Sequence, residues 1–209
     1  MVTAAYVFLV VAVVLQRLLE VRVSRMNEAE LKARGAVEHA QAQMPVMVFV
    51  HGAWLTCTLL EVLLLDRPLV RGVTVVALLA FCAGQALRLL AIRALGTRWT
   101  VKVITLPGAP PVTGGIFRYV RHPNYLGVIL EIAALPLMHG AWISAVVFSA
   151  ANGLLLWRRI RAEEQALDGS NDYERHFADR ARFVPKLSSS DDDDHTEADA
   201  DHIVQREPR

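Results

Sequence analysis

Cysteine is scarce in this sequence, with two residues in a chain of 209. Cys57 and Cys82 both lie inside apolar stretches, and their spacing matches neither a set of metal ligands nor a disulfide framework. The sequence is therefore not that of a small secreted domain held together by disulfides. We predict no metal site and no nucleic-acid partner.

Charged residues are rare over three stretches of about 20 residues, the length that a helix needs to cross a bilayer. These stretches are 3–19, 45–65 and 70–90, and shorter apolar segments follow at 125–138 and 141–157. Hydrophobic residues make up 54% of the chain, and the mean hydropathy is +0.33. We therefore predict an all-α, polytopic integral-membrane helical bundle with about five transmembrane helices. The fourth segment either spans with the help of its flanks or forms a half-buried re-entrant helix.

The N-terminal apolar run lacks a basic region before it and a small-residue cleavage site after it. This predicts an uncleaved first helix rather than a signal peptide. Lysine and arginine then orient the bundle, because they concentrate in cytoplasmic loops. Five spans with the N-terminus outside place most basic loop residues on the side of the C-terminus, against Arg67 and Arg71 on the other side. We expect the C-terminal side to face the cytoplasm.

Acidic residues are concentrated at the end of the chain. Residues 190–209 contain eight acids and two arginines, a net charge of −6 in a chain whose total is +1. This tail has no apolar periodicity, which predicts disorder, whereas the basic remainder suits an anionic membrane surface. We predict three regions: helices 1–3 in 1–94 with a surface helix at about 24–43, a functional core in 95–187, and a disordered acidic tail in 188–209.

Several ionisable residues lie inside the apolar stretches, where such residues usually face the bundle interior and are functional candidates. Arg17 and Glu20 are three residues apart and are expected to pair, either as an ion pair at the membrane interface or as part of a site. His51 and Glu61 are ten residues apart, which places them on nearly opposite sides of the second helix. Arg88 lies in the third stretch.

The candidate site is predicted where two remote stretches meet. The polar segment 118–127 leads into the fourth apolar segment, and a cluster of arginines and glutamates follows the fifth. A tight turn at 138–140 joins these two helices into a hairpin, so their outer ends return to one membrane surface. Pro123 presets the first turn of its helix, whose free amides attract anions. Arg159 and Glu163 are four apart and share one helical face.

The connection 96–122 carries prolines and glycines at a density that favours successive turns over a long helix. Turns of this kind direct backbone amides and carbonyls toward a ligand. The alternative is an ordinary loop, although the length of the connection favours a functional one.

The motifs that carry a resemblance are Gly96-Thr-Arg-Trp-Thr, Val112-Thr-Gly-Gly-Ile-Phe117, Arg121-His-Pro-Asn-Tyr125, 159–164, Tyr173-Glu-Arg-His-Phe and Phe183-Val-Pro185. With these motifs, the stretch from about 95 to 187 resembles the isoprenylcysteine carboxyl methyltransferase family of integral-membrane enzymes. The first three helices match by hydropathy only.

The resemblance implies S-adenosylmethionine as cofactor and Arg159 at the substrate's carboxylate. Phe117 stands where the eukaryotic enzymes usually have a tyrosine, and Lys102 replaces an amide side chain. The implied cofactor contacts are Lys102, the main chain of Ala109, Pro110, Pro111 and Val112, and then Phe117, His122, Pro123, Asn124, Tyr125 and Glu163.

The residues at 106–110 and 121–126 are more similar to those of the bacterial branch of the family than to those of the eukaryotic enzymes. Some members of the bacterial branch methylate hydroxyls of polyketides such as alkylpyrones. The implied acceptor is thus a lipophilic or prenylated molecule with an acidic oxygen, reached from the lipids of a bacterial inner membrane. Arg159 and Glu164 are the predicted catalytic residues. Arg159 keeps the oxygen anionic, and Glu164 or His122 acts as a base where the acceptor is an enol or phenol. A carboxylate is already ionised and needs none.

Three other functions remain open from the sequence. A sterol-type reductase binds NADPH and has a related Arg-His-x-Asn-Tyr string, but an acid is expected soon after it, where Gly127 and Val128 stand. A phospholipid N-methyltransferase accepts a neutral amine and gains little from Arg159. A non-enzymatic membrane scaffold or transporter leaves the cluster of His, Tyr, Arg and Glu without a purpose.

Overall fold

A computed structural model describes residues 2–171 and 173–184, so the predicted acidic tail lies outside the described residues. Among these residues, the regular structure is helical apart from one small antiparallel sheet, in which Val37 pairs with Thr105 and His39 with Val103. The elements in order are α1 (Val2–Ala33), β1 (Val37–His39), α2 (Gln43–Leu64), α3 (Arg71–Leu95), β2 (Val103–Thr105), α4 (Pro123–Leu137), α5 (Trp142–Asn171) and α6 (Tyr173–Phe177).

The structure is that of an all-α, polytopic membrane protein. Among the described residues, four helices are long and apolar enough to cross a membrane, namely Val2–Ala33, Gln43–Leu64, Arg71–Arg98 and Trp142–Ser170. The fifth apolar helix, α4, has 15 residues, or about 22 Å at 1.5 Å per residue. It is therefore shorter than the hydrocarbon core of about 30 Å.

The predicted surface helix at 24–43 is not a separate element. The chain continues as α1 to Ala33 and breaks at Gly35, whose φ of +85° suits glycine, before it enters β1. The helix continues without a break from 24 to 33, and two of its residues contact the interior of the protein. Leu31 is buried, and the Ser24 hydroxyl accepts a hydrogen bond from the Val101 amide at 2.8 Å.

Helices α3 and α4 approach closely through two facing glycines. A Cβ at Gly127 would lie 2.7 Å from the Gly84 carbonyl oxygen and 2.6 Å from Cγ of Arg88. A Cβ at Gly84 would meet the Gly127 carbonyl oxygen at 2.9 Å. Small residues at such a contact let membrane helices pack by their backbones. The contact fixes the position of α4 and, with it, the start of the candidate site.

The turn between α4 and α5 lies where the sequence predicted it. The Ala141 amide donates to the Pro136 carbonyl at 3.0 Å, and Gly140 has a φ of +76°. Glu61 of α2 accepts hydrogen bonds from the Ser144 amide and hydroxyl, both at 2.7 Å. Its carboxylate thus caps the first turn of α5. Glu61 therefore binds the start of α5, whereas His51 contacts the Met47 carbonyl, so the two residues do not form a pair, as their spacing predicted.

Candidate active site

The start of α4 and the distal half of α5 meet around one tyrosine. Arg159 is 5% exposed, and its Nε donates to the Tyr125 hydroxyl at 2.8 Å. That hydroxyl in turn donates to a carboxylate oxygen of Glu163, and Arg159 also donates to the Val101 carbonyl. We call Tyr125, Arg159 and Glu163 the tyrosine cluster. Its geometry is the convergence that the hairpin predicted.

A second set of contacts lies beside the tyrosine cluster. His122 Nε2 is 2.9 Å from a Glu164 oxygen, and Arg182 donates to the same carboxylate at 2.6 and 3.0 Å. The His122 amide also donates to the Arg182 carbonyl at 3.0 Å. Glu164 therefore holds the His122 ring, and it lines neither of the two cavities described next.

Two cavities adjoin at the site. The larger, of about 290 Å³, extends from the tyrosine cluster into the bundle and is lined by residues of α1 to α5. The smaller, of about 140 Å³, lies under the connection between α3 and α4. They share part of their walls, including Thr100, Lys102, Phe117, Arg121 and Glu163. Ligand sites are usually concave pockets of this kind with a few polar groups on apolar walls.

The predicted cofactor contacts divide between these cavities. Residues of the connection line the smaller one, and residues at the start of α4 line the larger one. Pro110 lines neither, because its carbonyl points to Arg98 and accepts a hydrogen bond at 2.6 Å. The smaller cavity holds Ala109, Pro111 and Val112, the larger holds His122, Pro123, Asn124 and Tyr125, and both hold Lys102, Phe117 and Glu163.

Lys102 forms ion pairs with two acids that were not predicted from the sequence. Its ammonium lies 3.2 Å from Glu28 and 3.1 Å from Glu38, which also pairs with Lys32. The hydrogen bonds that Lys102 donates to Glu38 and Glu28 raise the pKa of Lys102, and the hydrogen bond that Lys32 donates to Glu38 is the main cause that lowers the pKa of Glu38. The extension of α1 and the β1–β2 pairing bring these groups together, and neither was predicted.

The start of α4 has the features of an anion site. Pro123 occupies its first turn, and no side chain caps the helix, so the amides of that turn remain available. The side-chain oxygen of Asn124, which lines the larger cavity, is buried and has no hydrogen-bond partner among the described residues. Buried polar groups of this kind normally have a hydrogen-bond partner, so this oxygen is a candidate contact for a ligand.

Deeper in the larger cavity lie four charged residues, Arg17, Glu20, Arg88 and Glu131, which we call the four-charge cluster. Arg17 pairs with Glu20 at 2.6 Å and also contacts Glu131. Arg88 lies 2.5 Å from Glu20 and 3.3 Å from Glu131. The sequence predicted the Arg17–Glu20 pair but missed Glu131, although a carboxylate inside an apolar segment was a usable signal.

Comparison with known proteins identifies the family. The sequence model of the isoprenylcysteine carboxyl methyltransferase (ICMT) family matches residues 75–169, from within α3 to near the end of α5. An uncharacterized protein of Bacillus subtilis, YpbQ, is 34% identical over 160 residues, which cover 76% of this chain and 94% of the relative. This chain belongs to the isoprenylcysteine carboxyl methyltransferase family. The predicted resemblance is thereby confirmed, whereas these relatives do not show a place in the alkylpyrone branch.

Two further relatives differ in what they cover. An uncharacterized protein of Haemophilus influenzae is 28% identical over 152 residues, 72% of this chain and 88% of its own length. A protein-S-isoprenylcysteine O-methyltransferase of Schizosaccharomyces pombe is 38% identical over 60 residues, 27% of this chain and 24% of its own. Family membership supports a methyltransferase embedded in a membrane.

Proposed function

We propose that this protein transfers a methyl group from S-adenosylmethionine to an anionic oxygen of a lipophilic acceptor, as an O-methyltransferase. One observation carries the proposal. A buried, permanently charged guanidinium, that of Arg159, lies on the wall of a cavity that runs into the apolar bundle and adjoins a second cavity under the predicted cofactor loop. Such a charge suits an acceptor with an anionic head and an apolar body.

The residues present fit the cofactor. Its carboxylate is suited to the uncapped start of α4, where Asn124 has an unsatisfied oxygen. Its ribose hydroxyls or amine are suited to the carboxylate of Glu163, and its adenine to the apolar walls of the smaller cavity, which include Phe117 and Val112. When bound, the cofactor supplies an electrophilic methyl group, so that a carbon–sulfur bond breaks and a carbon–oxygen bond forms.

Arg159 binds and orients the acceptor oxygen. Its Nε donates a hydrogen bond to Tyr125, and this contact fixes the plane of the guanidinium. The planar, permanently charged group is therefore held in one orientation toward the acceptor. Tyr125 is itself held by Glu163, so the guanidinium is positioned from both helices of the hairpin. Alignment and exclusion of water are then the main contributions to rate.

His122, Glu164 and Arg182 form a positioning set in this proposal. Glu164 lines neither cavity and is shared between an imidazole and a guanidinium. It therefore orients His122 at the start of α4. A carboxylate acceptor needs no base, which agrees with this arrangement.

The acceptor enters from the lipid between α1 and α2. Val21, Met44 and Val48 line the larger cavity, and Val48 is 64% exposed on the outer surface of the bundle. The side chains around this opening are apolar, as a hydrocarbon chain requires. The distribution of lysine and arginine supports an orientation in which the head of the cavity lies at the cytoplasmic face of a bacterial inner membrane.

A binding and transfer experiment tests the proposal. Purified protein in lipid nanodiscs is titrated with S-adenosylmethionine and, separately, with NADPH, and lipid extracts are then searched for a gain of one CH₂. We expect binding of the first ligand alone. We also expect Arg159→Ala to lower methyl transfer by about 10²- to 10³-fold, as for other groups that stabilise a reacting anion.

Arg161→Ala is the matched control, because Arg161 is exposed on the same helix and lies over the Trp157 ring. It should transfer methyl at the normal rate. Binding of NADPH, or unchanged transfer by Arg159→Ala, contradicts the proposal.

A further inference from the structure

The larger cavity contains polar groups well below the tyrosine cluster. Asn152 is 2% exposed, lines the cavity, and forms no hydrogen bond with any described residue. Trp54 also lines the cavity, and its buried indole N–H has no hydrogen-bond partner in the part of the chain that the structure describes. His51 has its Nδ1 engaged by the Met47 carbonyl at 2.9 Å, and its ring faces the same space. A purely hydrocarbon ligand would leave these groups unsatisfied.

These groups form a distinct level in the bundle. Asn152 precedes Arg159 by seven residues on α5, and Trp54 follows Met47, whose sulfur contacts Arg159, by seven residues on α2. Seven residues of helix correspond to about 10 Å. The level of Trp54 and Asn152 therefore lies roughly 10 Å further into the membrane than Arg159.

The four-charge cluster lines the same cavity and contributes no net charge to it. Two arginines and two glutamates neutralise one another there through the pairs already described. A ligand with a second negative charge would need an unpaired arginine at this cluster. A ligand with a positive charge would need an unpaired carboxylate. Neither exists among the paired groups. A neutral oxygen can accept a hydrogen bond from the Trp54 N–H or the Asn152 amide without disturbing this balance.

We propose that the methyl acceptor is an amphiphile with two oxygen functions: an acidic oxygen held at Arg159 and a neutral carbonyl or hydroxyl oxygen about 10 Å along its chain, bound at Trp54 and Asn152. The inference rests on the proposed function, since it names the acceptor of the same cavity. It distinguishes this acceptor from one whose body is plain hydrocarbon, because burying unpaired polar groups against hydrocarbon is unfavourable.

The test is equilibrium binding, which does not depend on methyl transfer. Protein in nanodiscs is titrated with a keto fatty acid whose ketone lies about 10 Å from the carboxylate, and with the unsubstituted fatty acid of the same length. Empty nanodiscs correct for partitioning. Satisfying one buried polar group should make the keto acid bind about 10-fold more tightly than the plain acid.

Variants locate the preference. Asn152→Leu should bring the ratio of the two affinities close to one by weakening the keto acid alone, and Trp54→Phe should lower it while keeping an aromatic ring. Leu154→Ala is the control on the same helix, since Leu154 is exposed to lipid and should leave the ratio unchanged. Equal affinities in the unmodified protein, a ratio unaffected by both substitutions, or binding of neither acid overturns the inference.

The same samples separate this outcome from failure of the proposed function. S-adenosylmethionine is titrated in the absence of either acid, so loss of that binding contradicts the cofactor assignment without changing the ratio. Arg159→Ala should weaken both acids alike, because it removes the contact to the carboxylate that they share.

Discussion

The tyrosine cluster and the four-charge cluster line one cavity and use the same side-chain types, but they differ in how their charges are balanced. In the four-charge cluster each guanidinium pairs with two carboxylates, those of Glu20 and Glu131, and at least one of the two lies on another helix. In the tyrosine cluster Arg159 donates to three neutral groups, the phenol of Tyr125, the thioether of Met47 and the carbonyl of Val101. The carboxylate of Glu163 is linked to Arg159 through the Tyr125 hydroxyl. The first arrangement is complete in itself, whereas the second retains a cation that can take a further anion.

The difference predicts opposite consequences of mutation. Removing one charge from a buried, matched set leaves its partner uncompensated, which destabilises the fold. Removing the charge of Arg159, which has no paired carboxylate in direct contact among the described residues, should affect ligand binding and turnover more than folding. The four predictions below test this contrast, from the largest expected effect to the smallest.

Arg88→Met should have the largest effect, a loss of about 3–5 kcal/mol in the free energy of unfolding, because Glu20 and Glu131 then share Arg17 alone and one buried negative charge is left uncompensated. Unfolding of the protein in mixed micelles by a denaturing detergent measures it. Arg88→Met combined with Glu131→Gln restores equal charge and should recover much of the loss. Arg93→Met, at an exposed arginine of the same helix, is the control. An unstable double variant and a stable single one contradict the contrast.

Gly127→Ala tests whether the helix contact beside Arg88 sets the geometry of both clusters. The added methyl group meets the Gly84 backbone at 2.7 Å and Cγ of Arg88 at 2.6 Å, so α3 and α4 must separate. Overpacking of this kind typically costs about 1–3 kcal/mol, and the same unfolding measurement applies. Gly52→Ala is matched to it, since nothing lies within 4 Å of a Cβ there. Similar stabilities of the two variants would argue against a close glycine contact.

Arg159→Lys separates charge from shape in the tyrosine cluster. Lysine keeps the positive charge, so the free energy of unfolding should fall by only about 1 kcal/mol, the typical cost of one lost hydrogen bond. It cannot reproduce the fork that reaches Tyr125 and Val101 together, and methyl transfer should fall about 10-fold. Rates and detergent unfolding are compared with those of Arg161→Lys. If stability falls and the rate does not, the tyrosine cluster is structural.

The sequence predicted the tyrosine cluster because its determinants are local. Pro123 marks a helix start, Arg159 and Glu163 share a face by their spacing, and a short turn forces the two helices to return to one side. These features require no knowledge of distant contacts. The apolar stretches predicted the membrane helices for the same reason, although α1, α3 and α5 run further than hydropathy indicated, because their ends are polar and lie beyond the apolar run.

The parts that were missed depend on pairings between distant residues. Glu131 joins Arg17 across 114 positions, and of the two acids that pair with Lys102, Glu28 lies on the extension of α1 and Glu38 in a three-residue strand. Strands this short show no alternation that a sequence can display. The continuation of α1 was missed because a charged, alanine-rich segment resembles a surface helix, and only contacts such as Ser24 to Val101 reveal that it is held from inside.

Glu164→Gln has the smallest expected effect and decides whether Glu164 positions or catalyses. The amide keeps a hydrogen-bond acceptor for His122 but loses the charge shared with Arg182, and this exchange is worth about 1 kcal/mol, or roughly 5-fold. Because His122 precedes the first turn of α4, the loss should appear as a higher KM for the cofactor with kcat unchanged. A base would behave differently, lowering kcat by about 10²- to 10⁴-fold.

Arg182→Gln is the matched variant, since it removes the other charge of the pair. Arg182 has a side chain that is 52% exposed, so this substitution should change KM by less than Glu164→Gln does. The full pattern therefore distinguishes the two roles: a KM effect that is graded between the variants places Glu164 behind the site, holding α4 in register with α5, and a collapse of kcat in Glu164→Gln alone places its carboxylate at the reacting oxygen.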